Sequence, residues 1–371
     1  MADQEGRGIR CTPTRWRLIA SGVLLAACPL LVLLFERFGE ALSGGYRPFS
    51  KGLLSLQATV ASVAPFALWD FLVVGFTLAA LFTLVRHVVR RRPLLPWLSV
   101  VLLVSSATLF LFVSGWALNH YAPSLANEIG LEVGVYTDDE LTAATRHYLE
   151  RAAALAPSVP RGEDGELLRQ DFYELARIAG GSYRELSESY GIFEGSQAPV
   201  KALLLLGEPL LLSGHVGIFF SPTGESSVPV NCAVADLPFT MCHEAAHRLA
   251  IAREQEANFA AFLACTTSDD VRFSYSGYYS AFSFCYGALR RSDPDRAARL
   301  LDEVRTSGLD AGVGLVLADL VATGRHYDAY EGWFGRVGSA VNDGYLRSFG
   351  EREGVKSYGL VVDYLIAWDR R

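Results

Sequence analysis

Three long apolar runs constrain this chain more than any other feature. Leu18 to Phe35 reads LIASGVLLAACPLLVLLF, eighteen residues without a charge, just enough to cross a hydrocarbon core of about 30 Å as a helix. Pro65 to Val85 is a second run, interrupted by one acid, Asp70; Leu94 to Leu118 is a third, opening at Pro96 and closing on SGWALNHYAP. A signal peptide predicts one short apolar region followed by a small-residue cleavage site. Three full-length runs predict three transmembrane helices instead, at about 18–35, 65–85 and 94–118. They also account for the composition. Of 371 residues, 51% are hydrophobic and only 20% charged, where about a quarter charged is usual, and the apolar excess lies before residue 120.

Basic residues set the orientation. Arg7, Arg10, Arg15 and Arg17 precede the first run, and Arg86, Arg90, Arg91 and Arg92 follow the second, while Arg37, Arg47 and Lys51 are diluted by acids. Short loops rich in Lys and Arg stay in the cytoplasm. The expected topology has a cytoplasmic N-terminus, a multi-pass anchor over 1–119, and an extracytoplasmic domain over 120–371. Asp70 then falls near the outer interface as a snorkelling or helix-capping acid. A net charge of -7 gives no clustered basic surface, so nucleic acid is excluded as a partner; the lipid bilayer is the partner the runs imply.

After residue 120 the composition becomes ordinary. Thr137 and Glu140 form a capping box ahead of LTAATRHYLERAAALA, whose apolar positions recur at three and four. Helices are predicted over 165–187, 237–249, 254–267, 276–291, 294–306, 326–341 and 357–369. Residues 216–231 differ, with two β-prone runs around Ser-Pro-Thr-Gly-Glu that predict a hairpin. The fold class is membrane-anchored α+β, three transmembrane helices followed by a mostly α-helical domain with a small hairpin or sheet.

The segment FTMCHEAAHRLAIAREQEANFAAFLAC, Phe239 to Cys265, carries the chemistry. His243 and His247, four apart, share one helix face and can bind one metal, with Glu244 between them as a general base. Two His and one carboxylate leave the fourth position of Zn2+ open for a water, whose pKa the ion lowers to roughly 7. On an unbroken helix Glu254 would lie about 10 Å beyond His247 along the axis, so the chain must turn between about Arg248 and Arg253. Glu254 then opens a second helix with Asn258 one turn on. This resembles the E-x-x-x-D/N helix of HExxH peptidases whose third ligand is Glu, a zincin-like and specifically gluzincin-like arrangement in which the residue one turn on supports a ligating His. Glu254 is assigned as the ligand, Glu256 as the alternative and Asn258 as the supporting residue.

Along nearly its whole length the chain also resembles an uncharacterised bacterial membrane family, a domain of unknown function with three N-terminal spans and an outer HExxH domain. The carrying features are PFALWD at Pro65, GWALNHYAP at Gly115, YTDDEL at Tyr136, SPTGE at Ser221, FTMCHEAAH and EQEANFAAFLAC, then YSGYYSA at Tyr275, NDGYL at Asn342 and GVKSYGLVVDYLIA at Gly354. The resemblance implies a zinc-peptidase group in the bacterial cell membrane with His243, Glu244, His247 and Glu254 as its site, and it supplies no substrate. Where the family tends to have Gly in the turn after the second His, this chain has Ala250.

A further electrophile beside the metal lowers the barrier of such hydrolysis; Tyr275, Tyr278, His326, Tyr345 and Tyr358 are available, with Tyr345 and Tyr275 preferred. Cys232, Cys242, Cys265 and Cys285 lie where disulfides are permitted, and Cys242 reads as a buried thiol or half-cystine. The expected function is a membrane-anchored zinc metallopeptidase acting on a peptide or protein near the outer membrane surface. The alternative is an inactive metal-binding sensor or partner-binding ectodomain, and an intramembrane protease ranks last because Arg248 and Arg253 flank the motif.

Overall fold

A computed structural model describes residues 13–349 and 360–371. The N-terminal part holds α1 (Pro13–Ala61), α2 (Leu68–Val89) and α3 (Leu95–Gly115). The first helix is a correction: it continues far beyond the apolar run at 18–35, for 49 residues. It does not continue straight. The rings of Phe35 and Tyr46 lie 4.9 Å apart, although eleven residues of straight helix separate their Cα atoms by about 16 Å. The bend falls where Gly39, Gly44 and Gly45 precede Pro48, the residue types that allow a helix to kink. Past the bend, α1 crosses the end of α3, where Ser50 Oγ donates to Gly115 O at 2.6 Å.

The rest comprises α4 (Leu125–Ile129), α5 (Asp138–Leu155), α6 (Phe172–Gly181), α7 (Arg184–Ser189), α8 (Gly207–Leu212), α9 (Leu237–Arg248), α10 (Glu254–Thr266), α11 (Val271–Ser292), α12 (Pro294–Val304), α13 (Asp310–Asp328), α14 (Trp333–Ser348) and α15 (Val361–Asp369), with β1 (Lys201–Leu203), β2 (Ile218–Phe220) and β3 (Glu225–Pro229). The capping box at Thr137 and Glu140 forms with both reciprocal bonds. Asp293 caps α12 ahead of Pro294. Two expected helices are corrected. The helix at 165–187 starts only after Asp171, whose side chain accepts from Glu174 N, and the helix at 326–341 is the end of α13 plus most of α14.

One core holds the helical part together. Tyr148, Leu149 and Ala152 of α5, Phe259 and Phe262 of α10, Phe282 of α11 and Leu365 of α15 are all buried in it, and α9 and α10 run through its middle. The hairpin appears as β2 and β3, antiparallel in the register Phe219↔Ser226. Unforeseen is β1, parallel to β3, giving the order β1-β3-β2. The outer side of β1 is covered by the segment before α2, where Ala67 N donates to Ala202 O at 3.0 Å, so β2 is the open edge.

Several helices are long and apolar enough to span a membrane, which marks a membrane protein: Pro13–Ala61, Leu68–Val89, Leu95–Tyr121 and Pro294–Asp328. The last of these buries Ala297, Leu300, Val304, Val313 and Val316 in the common core and places Asp319 in a buried ion pair with Arg161 at 2.7 Å. Asp70 is a capping acid, though not for its own helix: its carboxylate accepts from the backbone N–H of Leu204, Leu205 and Leu206. In return, Glu225 accepts from Leu68 N and Trp69 N at the start of α2. Each anion occupies unsatisfied donors of the other element, and the pair clamps α2 to the sheet.

Candidate metal centre and cleft

Every residue of α9 is buried, so its imidazoles and carboxylate face protein rather than water. Leu249 ends the helix, and Ala250 takes φ = 64°, a left-handed conformation that costs a residue with a Cβ roughly 1–2 kcal/mol. The turn required between Arg248 and Arg253 thus forms without glycine. It brings Ile251 O within 2.8 Å of His247 Nδ1 and returns the chain as α10, with Glu254 beside both rings.

Three donor atoms converge there. His243 Nε2 and His247 Nε2 are 3.1 Å apart, and Glu254 Oε2 is 3.2 Å from the first and 3.7 Å from the second. Atoms bound tetrahedrally to one ion at about 2.0–2.2 Å lie about 3.3 Å from each other, so the spacing suits a single cation. The tautomers agree. His243 Nδ1 donates to Asn258 Oδ1 at 2.8 Å and His247 Nδ1 to Ile251 O, which leaves both Nε2 atoms facing the carboxylate oxygen. Without a cation, the positive charge that balances the carboxylate is a proton on His247, which Glu254 stabilises. Glu244 Oε2 is buried without a hydrogen-bond donor among the described residues, a costly condition for a carboxylate that a cation relieves.

Titration follows from burial and these neighbours. Burial pushes Glu244 up to about 7 against the pull of His243 and His247. For Glu254 burial also works upward, but His247 and His243 overcome it and hold the carboxyl well below the usual range. Burial lowers His247, and Glu254 more than compensates, raising it to about 9. The backbone of α9 is fixed from three sides: Trp116 Nε1 donates to His247 O at 2.9 Å, Ser226 Oγ to Glu244 O at 2.6 Å and Tyr183 OH to Cys242 O at 2.9 Å.

Two adjoining cavities of about 450 and 520 Å³ meet here, sharing His215, Gly217, His243, Glu244 and Asn342 in their walls. The second adds Phe112 and Trp116 from the end of α3, Phe219 of β2, and Tyr345 of α14. A Cβ at Gly217 would collide with the Glu244 carboxylate, so only glycine lets the start of β2 approach that group closely.

The predicted residues divide cleanly. His243, Glu244, His247, Glu254 and Asn258 come together, and Tyr345 lines the cleft with its hydroxyl 3.2 Å from His120 Nε2. Glu256 is corrected: it pairs with Arg253 at 2.8 Å and accepts from Tyr364 OH, on the opposite side of α10 from Glu254. Tyr275 is corrected as well, being buried against Asp319 and Arg161. Tyr278 lies under Arg151, His326 lines a separate cavity with Asp319, and Tyr358 lies outside the described residues. Cys232, Cys242, Cys265 and Cys285 are free buried thiols. Sequence reasoning missed His215, which carries no motif; burial lowers its pKa and Glu254 opposes that. It also missed Trp116, although GWALNHYAP had marked that segment.

Neither a curated protein nor a solved structure matches the chain significantly. A family model described as "Protein of unknown function (DUF3810)" matches residues 46–366, from the C-terminal part of α1 into α15, and the chain belongs to that family.

Proposed function

We propose that the protein is a membrane-anchored zinc metallopeptidase. Its three N-terminal helices cross the bilayer, its N-terminus is cytoplasmic, and its site faces outward to hydrolyse an extended peptide or protein near the membrane. One observation carries this reading: the donor atoms of His243, His247 and Glu254 converge on a point beside the orphaned, buried carboxyl of Glu244, next to the open edge of a sheet.

In this reading His243, His247 and Glu254 hold Zn2+. When bound, the ion supplies Lewis acidity that polarises a carbonyl and makes water nucleophilic near neutral pH. Glu244 takes the proton of the attacking water at Oε2 and delivers it to the leaving amine, acting first as general base and then as general acid. β2 aligns the substrate, since a peptide adding to its open edge gains main-chain hydrogen bonds and alternates its side chains across the cleft. His215 and Tyr345 line the same cleft as donors for the oxygen that gains charge.

Metal analysis of the full chain in detergent tests the first half: about one zinc per chain is expected, lost in His243→Ala. A peptide library tests the second, with cleavage abolished in Glu244→Gln while zinc is retained. A wild-type chain that takes up no metal sinks the proposal. Metal without Glu244-dependent cleavage favours the binding ectodomain instead. External protease that leaves residues after 120 untouched in sealed, right-side-out vesicles would overturn the topology.

A further inference from the structure

Helix α14 presents three faces. Leu346 is buried in the protein, Gly335 and Gly338 lie against the backbone of Leu212 and Ser213, and Asn342 and Tyr345 line the cleft. Trp333, Phe334 and Val337 form the third face, and Val341, which also lines the cleft, stands at its edge. Their spacing places them on one stripe about 100° wide, and each is 52–68% exposed. That is as open as the outward side chains of the apolar helices, such as Phe82 at 68% and Leu111 at 47%.

The stripe lies where α2 begins and α3 ends. Rings of Tyr345 and Phe349 sit 5.9 and 6.1 Å from Phe112, in the last turn of α3. Leu212 of α8, against which Gly335 packs, is itself exposed, as are Leu204 and Leu205, whose N–H groups are held by Asp70 in the first turn of α2. The apolar surface is therefore continuous with two helices that are apolar enough to cross a bilayer, at the ends the proposed topology assigns to the outer interface. Trp333 suits that depth, and Arg336 flanks the stripe where it can reach lipid headgroups.

We propose that this face of α14, with Leu204, Leu205 and Leu212, is seated in the outer leaflet of the bilayer, so that the cleft opens at the lipid interface and takes chains tethered to the membrane. The inference rests on the outward topology and on the peptidase reading of the cleft. Lipid covers the stripe because the stripe joins the membrane-spanning surface directly. Tethering raises the substrate's effective concentration at a cleft fixed at that depth.

The full-length protein, with Cys11→Ser, is reconstituted in phosphatidylethanolamine and phosphatidylglycerol vesicles after labelling Phe334→Cys, Val337→Cys or Arg336→Cys with an environment-sensitive fluorophore. The five described native cysteines are buried. Lipids carrying a doxyl quencher high on the acyl chain should quench labels at 334 and 337 several-fold more than at 336. Equal weak quenching at all three overturns the proposal. So does shielding that grows with protein density, which means a second copy covers the stripe. Wild-type protein should cleave an acylated peptide several-fold faster than its soluble counterpart, a preference removed by Phe334→Asp with Val337→Asp; parity in the wild type overturns the substrate class. Depth needs no catalysis to be read, so retained quenching without any cleavage supports the membrane seating while removing the peptidase reading.

Discussion

The cleft has two walls built on opposite principles. The inner wall, α9 and α10, is buried throughout its working face, and its ionisable groups are held by short bonds to partners that do not titrate, Asn258 Oδ1 and Ile251 O. The outer wall, α14, rests on glycine contacts and aromatic rings, with four large apolar side chains left open. A wall of the first kind preorganises ligands. One of the second kind has few buried contacts, which places it at the low end of local stability. Metal affinity should therefore belong to the inner wall, and access to the outer one.

The largest effect expected tests the inner wall. Glu254→Gln removes a ligating oxygen and should abolish stoichiometric zinc. Asn258→Ala leaves the ligands but frees the His243 ring, and should weaken zinc about 10- to 100-fold. Glu256→Gln, on the opposite side of α10 and paired with Arg253, should leave zinc uptake unchanged. Chelator competition on the three variants reads the series, and equal losses for Glu254→Gln and Glu256→Gln would dissolve the assignment.

Next is the cost of Glu244. Its folded pKa of about 7 stands above its ordinary 4.5, so the native state holds that proton more tightly than the unfolded chain. Stability from this group is full at low pH, declines as pH rises through 4.5 to 7 and is lost above 7. Glu244→Gln has no such dependence. In chelator-treated protein, the variant should gain on the wild type between pH 5 and pH 8 by up to roughly 3 kcal/mol, measured by thermal or denaturant unfolding. No gain at pH 8 would mean that this carboxyl is not buried as a charge. Bound zinc should shrink the difference, because a dication favours the carboxylate.

How much was legible follows the same division. His243, Glu244 and His247 were readable because a helix-borne metal pair demands fixed residue types at a fixed spacing, and Glu254 over Glu256 was decided by the turn that helix geometry imposed. α14 was not readable. Gly332, Gly335, Gly338 and Gly344 weaken the helical pattern, and its apolar stripe sits beside a second apolar face, so the predicted helix slipped to 326–341. β1 escaped because Lys201–Leu203 is three residues long and pairs with a strand far along the chain. For Tyr275 and Tyr345 the residue type was the same, and only the fold decided which hydroxyl met Asp319 and which met the cleft.

The outer wall can be broken separately. A Cβ at Gly338 would run into the carbonyl of Ser213, backbone that cannot yield as a side chain does, so Gly338→Ala should cost about 1–3 kcal/mol locally. Hydrogen exchange should rise across α14 while zinc content stays at the wild-type level. Loss of zinc together with protection would show that the walls fold as one unit and that the contrast between them is false.

The smallest effect returns to the inner wall and its one strained residue. Ala250 holds φ = 64° so that Ile251 O can meet His247 Nδ1, and a left-handed alanine is less favourable than glycine by roughly 1 kcal/mol. Glycine also has more freedom to lose on folding, which offsets part of that relief. Ala250→Gly should therefore stabilise the protein by at most about 1 kcal/mol in denaturant unfolding, with zinc affinity unchanged because the hydrogen bond to His247 comes from the backbone of the next residue. If glycine instead weakens zinc binding, the Cβ of Ala250, buried among the side chains around α9, is holding the turn in register, and the inner wall owes part of its order to packing at that one methyl group.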